Sequence, residues 1–244
     1  MMPEDLFHKY AVQDPAKEAA RCRNPQMAEL RAFAMEEGKW LVAACGIEGA
    51  EYFIGGSLGY DALLKGNFDI DLRLLIPDEE KTIEELHREI DAVQKMLVDK
   101  AQAKGEEIKC KFIDENGTNY IQHTKQIVKL PGTEQSVELT WNIQSRSSYK
   151  SIAGLAERLP QIVRDRFVVA KWLSKEESNE AYAALKLHWR EFINWLFDCG
   201  AREMDDASLE NLLASGTERF PLFLKASRPL GTFGHGPCFG ILVG

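Results

Sequence analysis

Two aspartates, Asp69 and Asp71, alternate with apolar residues from Phe68 to Leu72. In a strand, residues i and i+2 point to the same face. This spacing therefore sets two carboxylates side by side. Glu138, flanked by Val137 and Leu139, stands on the polar face of a later strand and can complete a cluster of three. Asp114, at the end of another predicted strand, is the alternative; the mid-strand setting of Glu138 favours Glu138. Close carboxylates repel and are costly unless cations neutralise them. An all-oxygen donor set suits Mg²⁺ or Mn²⁺, with phosphate oxygens filling the remaining positions. Two such ions, about 3.5–4 Å apart, clamp the attacking and leaving oxygens of a phosphoryl-type displacement.

Gly55-Gly56-Ser57 supplies the complementary half. A strand that ends in glycines and opens into a helix offers free backbone N–H groups to a triphosphate. Glycine lets the phosphate approach closely, and Ser57 adds a hydroxyl. Either motif alone is a turn or a solvated strand face. Strand, Gly-Gly-Ser, helix and Asp-x-Asp strand in succession make a specific layout.

These residues need elements to position them. Glu51–Ile54 reads as a short strand, and a short helix is expected over about 58–65. Phe68–Ile76 alternates as a half-buried strand. Residues 79–104 read as one helix burying Ile83, Leu86, Ile90, Val93 and Leu97. Ile108–Asp114 and Tyr120–Leu130 read as strands joined at Asn116-Gly117, a hairpin dipeptide. Val137, Leu139 and Trp141 mark a further strand. Upstream, Asp14-Pro15 and Asn24-Pro25 both look like helix starts, the second leading into a stripe of Leu30, Phe33, Ala34, Trp40 and Leu41. Downstream, Leu155–Leu173 and Asn179–Asp198 read as amphipathic helices, with a third from Ser208. The expected organisation is a helical lead over 1–50, an α/β core over 51–148, a helical region over 149–225 and a glycine-rich tail over 226–244, with no internal repeat.

The motifs Phe53-Ile-Gly-Gly-Ser57, Phe68-Asp-Ile-Asp-Leu72 and Val137-Glu-Leu139 resemble the signature of the nucleotidyltransferase superfamily. The resemblance implies an α+β chain: a polymerase-β-like mixed-sheet core followed by a helical domain. It implies Gly55, Gly56 and Ser57 at a triphosphate, and Asp69, Asp71 and Glu138 as catalytic metal ligands. Asp71 and Glu138 would lie nearest the attacking hydroxyl. In terminal-transferase and poly(A)-polymerase-like members a helix carries a Lys-x-Trp-like run with a second lysine four residues after the first. Lys171 and Lys175, with Trp172 between them, are similar, and i and i+4 share one helix face. Both lysines are implied to reach the triphosphate and offset the charge of departing pyrophosphate. Tyr182 is implied to stack on the nucleobase, a contact that tolerates any base. Trp172 itself is expected in the core.

The implied activity is transfer of a nucleoside monophosphate, with ATP the expected donor, to a hydroxyl acceptor: a small molecule, a protein side chain or a tRNA end. A cyclic-oligonucleotide synthase shares the two-part layout, and a nucleotide-binding regulatory protein without turnover is the competing class. Composition narrows the field. Lysine and arginine number 30 against 38 aspartate and glutamate, a net charge of −8. A sequence-blind nucleic-acid binder is basic overall, so a long polynucleotide acceptor is disfavoured. The five cysteines, 22, 45, 110, 199 and 238, have no CxxC spacing; buried free thiols are expected. The histidines, 8, 87, 123, 188 and 235, show no metal spacing, and His188 is expected to pack. Gly231–Gly236 has the outline of a dinucleotide loop but no strand before it, and reads as tail. No apolar run approaches the roughly 20 residues of a membrane span, and the acidic N-terminus is no secretory signal; a cytoplasmic protein is expected.

Overall fold

The computed structural model describes residues 7, 9–10, 12–66, 68–116, 119–147 and 155–225. The glycine-rich tail, with Gly231–Gly236, Cys238 and His235, lies outside the described residues, as do His8, Gly117 and the boundary at 148–154.

The chain opens with α1 (Pro15–Cys22) and α2 (Met27–Cys45). Asp14 caps α1 by accepting from the Lys17 N–H, and Pro15 occupies the first turn, where its missing N–H costs nothing. Asn24-Pro25 behaves differently. Asn24 accepts from the Gln26 N–H, so the pair forms a turn and α2 starts beyond it without a side-chain cap. Next come β1 (Glu51–Ile54), the single turn α3 (Gly56–Gly59), β2 (Asp69–Ile76) and α4 (Ile83–Ala103). The expected helix at 58–65 is thus shorter and starts earlier. A capping box between Thr82 and Glu85 fixes the start of α4. This puts Ile83 in the first turn, 66% exposed, while Ile90, Val93 and Leu97 are buried as expected.

Three long strands follow: β3 (Glu107–Asn116), β4 (Asn119–Lys129) and β5 (Ser136–Ser145). The β3–β4 pairing runs to Asn116 opposite Asn119, closing the expected hairpin. The helical region holds α5 (Leu155–Arg158), α6 (Gln161–Glu177), α7 (Asn179–Asp198), α8 (Asp206–Ser215) and α9 (Pro221–Leu224). The single helix expected over 155–173 is two, because Pro160 disfavours helical backbone at Leu159 and cannot donate within a helix.

The sheet is mixed, in the order β1-β2-β5-β4-β3, with β2 and β5 parallel and the other pairs antiparallel. One face is apolar. Ile70, Leu72 and Leu74 of β2 and Leu139, Trp141 and Ile143 of β5 are buried with apolar residues of α2 and α4. Trp141 is fully buried, edge-on to Trp40. The strand alternation that buries these residues turns Asp69, Asp71 and Arg73 to the other face. A second apolar cluster, with Phe167, Trp189, Phe192, Phe220 and Phe223, joins α6 to α9. Ala19 and Cys22 of α1 belong to it, whereas Leu30, Ala34 and Leu41 of α2 belong to the sheet cluster. The N-terminal helices therefore divide between the two cores.

Cys22 and Cys45 are buried free thiols, as expected; Cys110 is exposed and Cys199 half-buried. Trp172 is partly buried against the second cluster, with the Arg21 guanidinium 4.7 Å over its ring. His188 packs against Phe223 and Phe220. Among the described residues no helix is long and apolar enough to cross a membrane.

Candidate functional site

A cleft of about 430 Å³ separates the polar face of β2 from α6 and α7. That volume falls within the roughly 300–1,000 Å³ of small-molecule sites. Its sheet wall is built by β1, α3 and β2. The Gly55 N–H donates to the Asp71 carbonyl at 2.8 Å, carrying the β1–β2 ladder one residue past β1. This N–H is therefore engaged by backbone, and Gly55 is buried outside the cleft lining. Gly56 turns the chain into α3 with φ +54°, and a side chain there would run into the Asp71 carboxylate. The position thus demands glycine twice, for its left-handed backbone and for space. Ser57 follows at the start of α3 and lines the cleft.

Asp69 and Asp71 both reach this cleft. Asp69 is exposed and Asp71 is half-buried. Burial, and then the Asp69 charge, push the Asp71 carboxyl up to about 6. Among the described residues no ion pair engages either aspartate. Arg73, Lys125 and Lys171 offset part of the Asp71 charge, and two adjacent carboxylates, one resisting ionisation, suit a hard divalent cation.

The opposite wall is helical. Lys171 of α6 is 5% exposed, and its ammonium donates to the Ser57 hydroxyl and, at 3.1 Å, to the Ala62 carbonyl. Burial, and then the Lys175 charge, lower its pKa to about 7. Tyr182 of α7 also lines the cleft, with the Lys186 ammonium 4.5 Å and the Lys175 ammonium 5.2 Å from its ring centroid. Burial, and then the charges of Asp69 and Asp71, raise the Tyr182 pKa. Lys175 is exposed and reaches the site through this ring, outside the cleft lining.

Glu138 is placed differently. It lies opposite Asp69 in the parallel β2–β5 register, so the two share a sheet face. Both of its oxygens are taken, one by Lys109 at 2.6 Å and one by Lys125 at 2.7 Å. The two ammonium groups hold its carboxyl below the usual range. Glu138 does not line the cleft. Asp114 lies farther off, exposed on the edge strand β3, with β4 and β5 between it and β2. Among the described residues no three acidic, histidine or cysteine side chains converge on a cation-sized point.

The structure therefore gathers Gly56, Ser57, Asp69, Asp71, Lys171 and Tyr182 in one cavity. Gly55, Lys175 and Glu138 stand at its margins. The cleft also holds residues that the sequence reading missed. Arg73 continues the strand face of Asp69 and Asp71 and donates to Gln144 at 3.1 Å. Lys186, Trp189, Arg190 and Asn194 form a stripe on α7. The i+2 and helical spacings that align these residues were present in the sequence.

No protein-family model matches the chain, and no curated protein matches it. Among solved structures it is similar to the Cid1 poly(U) polymerase with MgGTP bound, with a TM-score of 0.46 and 16% identity over 64% of this chain and 45% of that one. It is also similar to the GLD-2/RNP-8 complex, with a TM-score of 0.48 and 12% identity over 75% of this chain and 59% of that one. The chain thus spans about half the length of these proteins.

Proposed function

We propose that this protein is a divalent-cation-dependent nucleotidyltransferase, moving a nucleoside monophosphate from an NTP to a hydroxyl acceptor with release of pyrophosphate. One observation carries the reading. A single cleft opposes an adjacent carboxylate pair, Asp69 and Asp71, to a hydroxyl and a buried ammonium, Ser57 and Lys171. Such a cleft binds a cation–triphosphate complex with each charge met by its complement.

Asp69 and Asp71 would hold Mg²⁺ or Mn²⁺, which when bound supplies charge neutralisation at the reacting phosphate and activation of the attacking hydroxyl. Ser57 and Lys171 bind the β- and γ-phosphates. A triphosphate draws Lys171 to its charged form, against the burial that lowers its pKa. Gly56 keeps a side chain off the Asp71 carboxylate, and Tyr182 offers a face to the base. The protein's share of catalysis is positioning and charge. ATP is the proposed donor. The acceptor is a hydroxyl on a small molecule, a protein side chain or a tRNA end.

The capture of Glu138 by Lys109 and Lys125 favours a second reading, a nucleotide-binding protein without turnover. Incubation with α-labelled NTPs, Mg²⁺ and a cell extract separates the two. Transfer of label that is lost in Asp71→Asn supports the enzyme. Thermal stabilisation by Mg²⁺ and NTP with no label transferred and no pyrophosphate released supports the binding protein.

A further inference from the structure

The proposed donor complex does not use all the charge in the cleft. Asp69 and Asp71 face four cations there: Arg73 on β2, Lys171 on α6, and Lys186 and Arg190 on α7. The aspartates take the divalent cation, and Lys171 takes the phosphates. Lys186 lies 4.5 Å from the Tyr182 ring centroid, at the nucleobase end. Arg73 and Arg190 remain, one on each wall.

Their placement separates them from the nucleotide. Arg73 follows Asp71 by two residues on the same strand face, on the order of 7 Å along β2. It lies opposite Phe53, before the glycine turn, whereas Ser57 follows that turn. Along this segment Asp71 thus stands between an arginine and the phosphate-binding hydroxyl. Gln144 accepts from the Arg73 guanidinium at 3.1 Å, which orients it without supplying a negative charge. Arg190 comes eight residues after Tyr182, about 12 Å along α7, and is exposed. Among the described residues no ion pair engages Arg190.

We propose that Arg73 and Arg190 form the acceptor subsite and select a small alcohol that carries a phosphate group. The proposal rests on the nucleotidyltransferase reading and names its acceptor class. The acceptor oxygen bonds the α-phosphorus as the α–β bridging P–O bond breaks. Its proton leaves to solvent, and the bond's electron pair leaves with pyrophosphate. A hydroxyl beside Asp71 puts the acceptor's phosphate at Arg73, on the order of 7 Å away, a span that one sugar ring covers. Two guanidinium groups from opposite walls suit a tetrahedral anion, whose oxygens point to both; a planar carboxylate presents its two oxygens to a single fork. A cationic acceptor would meet like charge. The positive charge does not run on across the sheet to suit a polynucleotide, because Lys109 and Lys125 are engaged by Glu138.

The test is calorimetry on the full chain saturated with Mg²⁺ and a non-hydrolysable ATP analogue, with ribose 5-phosphate and ribose as probes. Ribose 5-phosphate should bind about a hundredfold more tightly than ribose, about tenfold for each arginine. Arg190→Met, at an exposed position, should remove about tenfold of that preference. Arg73→Met with Arg190→Met should erase it. Circular dichroism reports whether each variant is folded, and the single variant decides if the double one is not. Equal affinities for the two sugars overturn the proposal, as does a preference that survives both substitutions. Oligoadenylates whose affinity climbs steadily with length would overturn it in favour of a polynucleotide acceptor. Because the analogue blocks turnover, phosphate selection by both arginines with no label transferred from α-labelled NTPs would refute the transferase reading alone. Transfer to neutral alcohols that ignores both arginines would refute this proposal alone.

Discussion

Asp71 and Glu138 are carboxylates on one face of adjacent parallel strands, yet their surroundings push them in opposite directions. Asp71 sits half-buried under Gly56 beside Asp69, and its pKa rises to about 6. Glu138 lies on the inner strand β5, half-buried between two ammonium groups, and its pKa falls. The first feels the charges of Arg73, Lys125 and Lys171 but has no ion pair among the described residues. The second already has two. Residue type and strand register are the same kind of information for both; what differs is which long side chains reach them.

The sharpest way to break this contrast is to remove each charge in turn. Asp71→Asn should lower transfer about a thousandfold or more, since a lost cation ligand removes several kcal/mol of charge stabilisation. The same change should raise Tm by a few degrees at pH 7.5. An aspartate with a raised folded pKa costs stability as pH climbs from its unfolded value of 3.8 through about 6, a cost on the order of 3 kcal/mol at most. Below pH 4 the gain should vanish. Glu138→Gln should instead lower Tm slightly, because it breaks two exposed ion pairs worth about 1 kcal/mol or less each. Calorimetry at the two pH values and a pyrophosphate-release assay check these outcomes.

Gly56→Ala attacks the same contrast from the backbone. At φ +54° any side chain is strained, and this one must push the Asp71 carboxylate aside. A loss of about 1–3 kcal/mol in stability is expected, with a fall in transfer of about a hundredfold, measured by denaturant unfolding and by kinetics. Lys171→Met removes the cation on the opposite wall. The NTP KM should rise between about tenfold and a hundredfold, the worth of a charge-assisted hydrogen bond to phosphate, with a smaller change in kcat; an unchanged KM would exclude the phosphate role.

The smallest expected effect is in pH. A cation held by Asp71 competes with its proton, so Mn²⁺ affinity should fall up to about tenfold per unit as pH drops below about 6. Lys171 carries its charge in the empty protein only below about pH 7. NTP affinity should therefore weaken as pH rises above that value, and titration calorimetry in buffers of different ionisation heat would show proton uptake on binding at pH 8.

Much of the fold was legible because its signals are local. Alternation over Phe68–Ile76 marked β2, helical spacing marked α7 residue for residue, and Asp14-Pro15 started α1 where it stands. The misreadings share one cause. Asn24 accepted the Gln26 N–H in a turn ahead of the helix, Pro160 interrupted an apolar stripe that ran straight through it, and the Thr82–Glu85 box started α4 at Ile83, which faces water. Each turns on where a backbone group can be hydrogen-bonded, which hydrophobic spacing does not register.

Four of the nine residues singled out, Gly56, Ser57, Asp69 and Asp71, line one cavity because they sit within 16 positions of each other on a turn and the next strand. The remainder depended on distance. Lys171 reaches Ser57 across 114 residues of sequence, and Lys109 finds Glu138 through a bulge and over a neighbouring strand. From the order of its residues alone, this protein's strands, helices and acidic pair follow, since they arise from contacts between near neighbours in the chain. Only the tertiary structure decided that β5 lies parallel beside β2, that α6 closes the cleft over Ser57, and that Glu138 is held by lysines. Those outcomes turn on which distant side chains meet once both cores have packed.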